Sequence, residues 1–290
     1  MRDLTLHKLH EIVGGRLRTA TLAPRHGEDT RVERVVTDSR QVQKDDVFWG
    51  LAGTRFDGGS FAEEAYARGA TGVVVGGKYV QPPPGCWSLQ VDDGQRSLDE
   101  LARWNRGRFG GRVVAVTGSV GKTTARNMIR AVLGTRFSGC SSPKNFNNHV
   151  GLPLSMLAIE PEHDFAVFEL AASAVGEISR LAALCQPHVG VITRIGDAHL
   201  GGFGSIEAVA EAKTELLRAI SENGWAVLAG DDPRLRKLAA DSRARIVWFG
   251  RSLENDLVAT HVHSRDGRLS FAVDGTLMSV RVWGRHYLAP

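Results

Sequence analysis

The sequence predicts an α/β protein in which a small N-terminal α/β domain precedes a doubly wound, mostly parallel sheet with a few antiparallel strands at its end. The length of 290 residues favours about two domains. Short apolar runs alternate with helical patterns along most of the chain, as in layered α/β proteins. Residues 258–282 instead alternate polar and apolar side chains and contain two Asp-Gly pairs, which favours antiparallel hairpins.

The elements of the first domain are short. Apolar runs predict strands, and a periodic apolar segment that stops at Gly69 predicts a helix. The predicted strands are 32–36, 47–51, 73–75 and 88–91, and the predicted helices are 61–68 and 97–104. A basic, glycine-rich stretch follows, so we expect one domain at residues 1–108 and the next at 109–290.

The second domain begins with a continuous apolar run that is typical of a buried parallel strand. Its predicted strands are 113–116, 165–170, 189–193, 226–229 and 246–249, and its predicted helices are 123–133, 176–185, 206–220 and 233–240. This alternation predicts a doubly wound sheet, whose ligand site lies at the carboxyl ends of the strands.

Composition excludes several classes of protein. A hydrophobic content of 42% and a charged content of 23% are typical of a soluble globular protein. We expect no membrane span and no signal peptide, and therefore a cytoplasmic protein, because the chain has no apolar run of suitable length. The net charge of +4 suits an anionic small molecule, and no basic run with interleaved aromatics indicates nucleic acid. The three cysteines have no metal-ligand spacing.

The segment Gly-Ser-Val-Gly-Lys-Thr at 118–123 lies between a predicted strand and a predicted helix. Glycines let the backbone curl so that N–H groups point at phosphate oxygens, and the helix N-terminus adds a favourable dipole. Lys122 is expected to reach the β and γ phosphates of a nucleotide and Thr123 to offer its hydroxyl to Mg²⁺. The motif is shortened, because Val116 stands where the general pattern has a glycine.

Five further residues are candidates for the same site. Glu169 ends a predicted buried strand and suits Mg²⁺, although a strand-end glutamate that faces solvent fits equally well. His199 follows the strand 189–193, where a lone loop histidine is more often structural than a ligand. Lys213 falls in a predicted helix, and the pattern alone indicates a solvated charge. The pair Asp231-Asp232 fits either a site in the same crevice or a cap on the following helix, and we favour the cap.

The motifs and their order resemble those of the Mur ligase family, whose members extend the peptide of the peptidoglycan precursor. The matching segments are 37–40, 56–58, 117–124, 144–153, 168–171, 176–178, 199–205 and 212–213. The Asn-rich segment 144–153 is similar to that of the members that add D-alanyl-D-alanine. Members that add the third residue have a threonine-rich segment there instead.

The resemblance implies a role for each matching residue. ATP would be held by Gly118, Ser119, Val120, Gly121, Lys122, Thr123, Thr124 and Asn148. The implied metal ligands are Thr123, Glu169, His199 and Lys213 as a carbamate. The implied catalytic residues are Lys122, Glu169, His199 and Lys213. The implied UDP-binding residues are Asp38, Ser39 and Arg40. Carbamylation needs the neutral amine, which only about one ordinary lysine in 2,500 presents at pH 7, so nearby Mg²⁺ would have to stabilise the carbamate.

The implied activity is that of an ATP-dependent amide ligase. ATP would phosphorylate the free carboxylate of UDP-N-acetylmuramoyl-tripeptide, and the amine of D-alanyl-D-alanine would attack the acyl phosphate. With these substrates as its partners, the protein is expected to act as a monomer. Two alternatives remain open: another amide ligase of the family that uses a different amino acid or acceptor, and a non-catalytic member that binds nucleotide or UDP-sugar.

The chain departs from the family pattern at several places. Ala229 and Tyr287 stand where the family has asparagines, Arg194 replaces another asparagine, and Ala171 replaces a glycine. These changes put the adenine-side contacts in doubt and leave the phosphate and metal side intact. Residues 284–287 resemble the close of the family's central domain. We therefore expect the amine-binding third domain to be absent and the 290-residue chain alone to be inactive as a ligase.

Overall fold

The computed structural model describes residues 1, 3–20, 30–53, 57–77, 79–196 and 200–282. The chain forms two compact units. The first consists of Met1–Phe109 together with Met156–Pro161, and the second comprises Gly110–Ser155 and resumes at Glu162. Each unit contains parallel strands with helices between them, which confirms the α/β fold class.

The first unit is built on a five-stranded sheet. Its strands are β1 (Arg16–Thr19), β2 (Val35–Val36), β3 (Val47–Gly50), β4 (Gly72–Gly76) and β5 (Trp87–Val91), and its helices are α1 (Leu6–Val13), α2 (Ala62–Ala67) and α3 (Gly94–Gly107). The strand order is β1-β5-β4-β3-β2. β1 runs antiparallel to β5, and the other neighbours are parallel.

Two parts of this unit differ from the prediction. The predicted strand 32–36 is observed only as Val35–Val36, because the Val32 amide donates to the Leu4 carbonyl instead of joining the sheet. Helix α1 and strand β1 were not predicted. The helix does carry local signals, since the Thr5 hydroxyl caps the Lys8 amide and Leu6, Leu9 and Val13 are buried on one face.

The second unit is built on a seven-stranded parallel sheet. Its strands are β6 (Arg112–Thr117), β7 (Gly139–Ser141), β8 (Phe165–Glu169), β9 (Val189–Ile192), β10 (Trp225–Ala229), β11 (Arg245–Gly250) and β12 (Leu257–Val258). The helices that follow β6 are α4 (Lys122–Leu133), α5 (Gly151–Leu157), α6 (Glu177–Cys185), α7 (Leu200–Phe203), α8 (Ile206–Ala219) and α9 (Pro233–Leu238). The strand order is β12-β11-β10-β9-β6-β8-β7. The doubly wound sheet is therefore confirmed, with β7, β12, α5 and α7 as additions to the prediction.

Strand β6 marks the point where the chain changes direction across this sheet. The chain leaves β6 to build β7 and β8 on one side and returns to place β9 on the other side. The register pairs Val116 with Glu169 and Thr117 with Ile192, so the carboxyl ends of β6, β8 and β9 lie next to one another. Ligands of open α/β sheets bind at such a switch point.

The last described strands form two hairpins, as predicted. β13 (Thr260–Arg265), β14 (Arg268–Val273) and β15 (Thr276–Val280) pair in an antiparallel sheet. Asp266 and Gly267 have φ of 50° and 69°, and Asp274 and Gly275 have φ of 48° and 74°. Two successive positive φ values are what a two-residue hairpin turn requires. Within the described ranges, no helix is both long and apolar enough to cross a bilayer.

Candidate nucleotide and metal site

The loop between β6 and α4 has a backbone that only glycine adopts easily. Gly118 has φ 140°, and a Cβ there would lie 2.2 Å from Thr193 Oγ1. Gly121 has φ 84° and precedes the first residue of α4. The two glycines let the chain turn sharply from the strand into the helix, and the N-terminus of α4 then favours an anion beside the loop.

The loop is fastened to the segment that follows β9. Thr193 Oγ1 donates to the Val120 carbonyl at 2.6 Å. The Ser119 hydroxyl receives the Gly196 amide and donates to the Gly196 carbonyl, both at 3.0 Å. The Ser119 amide donates to the Arg194 carbonyl at 2.7 Å, a backbone contact that does not depend on the side chain at position 194. Thr193 was not predicted as a site residue, because nothing local distinguishes it from an ordinary strand end.

Lys122 lies over the loop. Its Nζ donates to the carbonyls of Gly118 at 2.9 Å and Ser119 at 3.3 Å. Burial lowers the pKa of Lys122, and the nearby charge of Glu169 opposes that shift. The ammonium group therefore already lies beside the turn where the sequence predicts phosphate.

Glu169 is the central acidic group of the site. It is 2% exposed at the end of β8, so the alternative of a solvent-facing glutamate is wrong. Thr123 Oγ1 donates to its Oε2 at 2.8 Å, and Asn147 Nδ2 donates to its Oε1 at 2.8 Å. Three segments that are distant in sequence thus converge on one carboxylate.

Arg126 and Asn147 are contacts of this carboxylate that the sequence analysis missed. Arg126 is 4% exposed, and its Nη1 lies 3.3 Å from Glu169 Oε2. A signal was present, because Arg126 lies three residues after Thr123 and so shares its helix face. For Asn147 the signal is its place in the Asn-rich segment 144–153, where the resemblance gives a role to the neighbouring Asn148.

Lys213 is buried in the interior of α8, at 3% exposure, so the expectation of a solvated charge is wrong. Its Nζ donates to the Ala172 carbonyl at 3.3 Å and lies 5.5 Å from the centre of the Phe203 ring. Burial, reinforced by the positive charge of Lys122, lowers the pKa of Lys213 to about 8, against the opposing charges of Glu177 and Glu215. The charge of Lys122 thus acts on the Lys213 amine across the site.

The remaining predicted residues lie in different surroundings. His199 falls outside the described residues, together with 197–198. Asn148 Oδ1 accepts the Gly151 amide at 2.9 Å, and the residue lines a cavity of about 270 Å³ with Ala172 and Glu177. Thr124 follows Thr123 in the first turn of α4.

The Asp pair after β10 shows the predicted helix cap. The side chain of Asp232 accepts the Arg234 amide at the start of α9, which confirms the cap. Asp231 instead binds the amides of Arg251 and Ser252. Ala229 and both aspartates line a cavity of about 360 Å³ that also contacts Thr193 and Arg194.

The predicted UDP-binding residues line a separate cavity within the first unit. It measures about 710 Å³ and is also lined by Phe61 and Glu64. Asp38 binds the Arg40 guanidinium through both carboxylate oxygens at 2.9 Å, which holds the pKa of Asp38 well below its usual range. The Ser39 hydroxyl donates to Glu64 Oε2 at 2.8 Å.

The residues around Glu169 fit a magnesium ion. The Thr123 hydroxyl and the Glu169 carboxylate are hard oxygen donors 2.8 Å apart, which is the ligand chemistry that Mg²⁺ prefers. In the part of the chain that the structure describes, no group of three His, Cys, Asp or Glu side chains is arranged to bind a metal. Among the described residues, the Thr123 hydroxyl and the Glu169 carboxylate are the oxygen donors that this pair offers to a metal.

Both parts of the chain match models of a known family. Residues 116–289 match the model of the Mur ligase middle domain, and residues 31–81 match that of the Mur ligase family catalytic domain. The chain belongs to the Mur ligase family. The first match covers the parallel sheet from the end of β6 onward, including the phosphate loop, and the second covers the segment from Asp38 to the cavity residue Glu64.

Individual Mur ligases are similar over nearly the whole chain. The chain is 36% identical to the UDP-N-acetylmuramoyl-tripeptide–D-alanyl-D-alanine ligase of Bacillus subtilis over 97% of its own length and 60% of that protein. It is 34% identical to the ligase of the same name from Escherichia coli over 100% of its length and 63% of that protein. The chain thus spans about three fifths of the length of these relatives.

Solved Mur ligase structures share the fold. The MurF ligase of Thermotoga maritima in complex with ADP superposes with a TM-score of 0.75 at 34% identity, over 87% of this chain and 58% of that one. MurF from Acinetobacter baumannii superposes with a TM-score of 0.86 at 28% identity, over 97% of this chain and 61% of that one.

Proposed function

We propose that this Mur ligase joins D-alanyl-D-alanine to UDP-N-acetylmuramoyl-tripeptide at the expense of ATP, in peptidoglycan precursor synthesis in the cytoplasm. One observation carries the proposal: the buried Glu169 carboxylate accepts the hydroxyl of Thr123, the residue that follows the phosphate-loop lysine. The names of three curated relatives, each a UDP-N-acetylmuramoyl-tripeptide–D-alanyl-D-alanine ligase, support the choice of substrate.

The phosphate loop supplies the binding site for ATP. When ATP binds, the Lys122 ammonium group would leave the carbonyls of Gly118 and Ser119 and bind phosphate oxygens. The N-terminus of α4 would add a favourable dipole. Thr123 and Glu169, with His199 and carbamylated Lys213, would hold Mg²⁺. When bound, the ion supplies charge neutralisation for the transferred phosphoryl group.

The lowered pKa of the Lys213 amine supports its carbamylation. With a pKa of about 8, roughly one amine in ten is neutral at pH 7, compared with about one in 2,500 for an ordinary lysine. Burial of the amine therefore provides part of the reactivity, in addition to any stabilisation of the carbamate by Mg²⁺.

The first unit would bind the uridine diphosphate end of the precursor. Arg40 and Ser39 line the cavity of about 710 Å³, which is large enough for a nucleotide-sized ligand. The catalytic contribution of the protein is then positioning and charge neutralisation: ATP, the tripeptide carboxylate and the attacking amine are brought together, and phosphate leaves.

Phosphate release tests the proposal. The complete gene product is incubated with Mg-ATP and the UDP-tripeptide, with and without D-alanyl-D-alanine, and the product is identified by mass. Release that depends on the dipeptide supports the proposal, whereas release that depends on a different amino acid identifies another amide ligase of the family. ATP binding without turnover would identify a non-catalytic member.

A parallel experiment uses the 290-residue chain. Fluorescence titration is expected to show binding of Mg-ATP and of the UDP-tripeptide without ligation. Turnover by this chain would contradict the expectation that the remaining two fifths of the relatives' length contributes to the reaction.

A further inference from the structure

Arg126 is a buried cation on the face of α4 that carries Thr123. Its side chain is 5% exposed and forms an ion pair with the Glu169 side chain, which is 3% exposed. Such a buried guanidinium is unusual unless it is paired. Neither nucleotide binding by the phosphate loop nor metal binding by Thr123 and Glu169 requires this guanidinium.

The guanidinium is fixed from three directions. Nη1 donates to the Lys144 carbonyl at 2.6 Å and to Glu169 Oε2 at 3.3 Å. Nε and Nη2 both donate to Asn127 Oδ1, at 3.2 and 3.0 Å. Arg126 therefore connects α4, the segment after β7 and the end of β8, and it cannot leave the carboxylate without breaking these bonds.

The ion pair between Arg126 and Glu169 affects how this carboxylate would interact with a cation. Thr123 and Asn147, the other described side chains that donate to Glu169, are neutral. Arg126 therefore provides the full opposite charge that a buried carboxylate needs. Lys122 adds a second positive charge in the same neighbourhood. A free divalent cation would meet a carboxylate that is already neutralised, whereas nucleotide phosphates would bring the negative charge that is missing.

We propose that Arg126 is the resident counter-ion of Glu169, which keeps free divalent cations from binding at this carboxylate and so couples cation uptake to the arrival of nucleotide. The proposal rests on the function assigned above, because it takes Glu169 as a metal ligand. It concerns a residue that supports the ligand and does not itself touch the metal or the substrate.

Binding of Mn²⁺ without nucleotide tests the proposal, measured by the loss of the free-ion electron paramagnetic resonance signal on addition of protein. Arg126→Gln removes the charge and keeps a hydrogen-bond donor, and Arg126→Lys keeps the charge. Arg130→Gln is the matched control, because Arg130 is an exposed arginine one turn further along α4. We expect Arg126→Gln to bind Mn²⁺ at least about tenfold more tightly than the wild type, since a full positive charge is removed from beside the ligand.

The other variants define the outcome. Arg126→Lys and Arg130→Gln should stay within about twofold of the wild type, and the double variant Arg126→Gln/Glu169→Gln should lose the gain. Equal affinity in Arg126→Gln and the wild type would overturn the proposal, as would the same gain in Arg130→Gln or its persistence in the double variant.

Folding of the Gln variant is checked by circular dichroism. If the variant is unfolded alone, recovery of the native spectrum in Mn²⁺ supports the proposal, and failure to recover in saturating Mn²⁺ overturns it. A separate titration with a fluorescent ATP analogue keeps the two questions apart. A wild-type chain that binds no nucleotide contradicts the proposed function, while the Mn²⁺ affinities still decide the role of Arg126.

Discussion

Charged side chains line both the site around Glu169 in the second unit and the cavity beside Asp38 in the first unit. The two sites differ in how far these side chains are exposed to solvent. Glu169, Lys213 and Arg126 are 2%, 3% and 4% exposed. The side chain of Arg40 is 78% exposed and is held by its near neighbour Asp38. Each of these three buried charges is held by at least one partner from a distant part of the chain.

This difference separates binding from stability in the two sites. A buried charge loses its solvation, so its partners must compensate, and removing one partner affects both the fold and the chemistry. An exposed ion pair contributes little to stability, because water already solvates both groups. Substitutions in the second unit should therefore change several properties together, whereas those beside Asp38 should change binding alone.

The largest effect is expected from Lys122→Ala. The side chain lies across the phosphate loop, and losing its charge should lower ATP-dependent phosphate release by the complete protein about 1,000-fold. Cys185→Ala is the control, because this thiol is buried in α6 and was assigned no role in the reaction. Similar losses in both variants would contradict the assignment of the site.

The buried amine of Lys213 should make stability depend on pH. Its pKa is about 8 in the folded chain and 10.5 by the ordinary value, so between these pH values the unfolded chain holds a proton that the folded chain has lost. Rising pH then favours the folded state, by about 3 kcal/mol in total between pH 8 and 10.5. The penalty from this group is fully present below pH 8.

Urea denaturation in carbon dioxide-free buffer measures this dependence. The wild type is compared with Lys213→Met at each pH, because the difference removes the titration of other groups. A difference in unfolding free energy that stays flat from pH 7 to 11 would show that the amine is not desolvated. That result would contradict the contrast between buried charges in one site and exposed charges in the other.

Gly118→Ala should lower stability without removing any charge. The new Cβ would meet Thr193 Oγ1 at 2.2 Å, and φ of 140° is unfavourable for alanine. We expect the unfolding free energy to fall by about 2 kcal/mol and binding of Mg-ATP to be lost. Gly110→Ala is the control, because a Cβ there meets no described heavy atom within 4 Å. Equal urea midpoints for the two variants would contradict the expected strain.

The two sites also differ in how far the sequence could predict them. Asp38, Ser39 and Arg40 are adjacent, and the phosphate loop is continuous, so motifs identify both segments. The contacts of Glu169 with Arg126 and Asn147 depend on how β8, α4 and the segment after β7 meet. The helical spacing from Thr123 to Arg126 indicates a shared helix face, but no local pattern encodes which carboxylate that face meets. For the same reason the helical pattern around Lys213 indicated a surface lysine, although packing against α6 and Phe203 buries it.

The parallel strands were predicted well because each is a continuous apolar run with a buried register, as in β6 and β8. The hairpins were predicted because Asp-Gly pairs have a strong local preference for the required turn. Strand β7 was missed since its three residues, Gly139–Ser141, are neither apolar nor alternating. It joins the sheet through its pairing with β8, which is a tertiary effect.

The smallest effect is expected from Arg40→Ala. Removing this exposed guanidinium should weaken binding of the UDP-tripeptide about tenfold, the loss of one charge-assisted contact to a phosphate. The unfolding free energy should change by less than about 0.5 kcal/mol, because the pair with Asp38 is exposed. Arg16→Ala is the control, since Arg16 lies on β1 at the opposite edge of the same sheet from β2. Isothermal titration and urea denaturation give both quantities for each variant. If Arg40→Ala destabilised the chain as much as Gly118→Ala does, the charges beside Asp38 would contribute to stability as well as to binding. The expectation that substitutions beside Asp38 change binding alone would then be wrong.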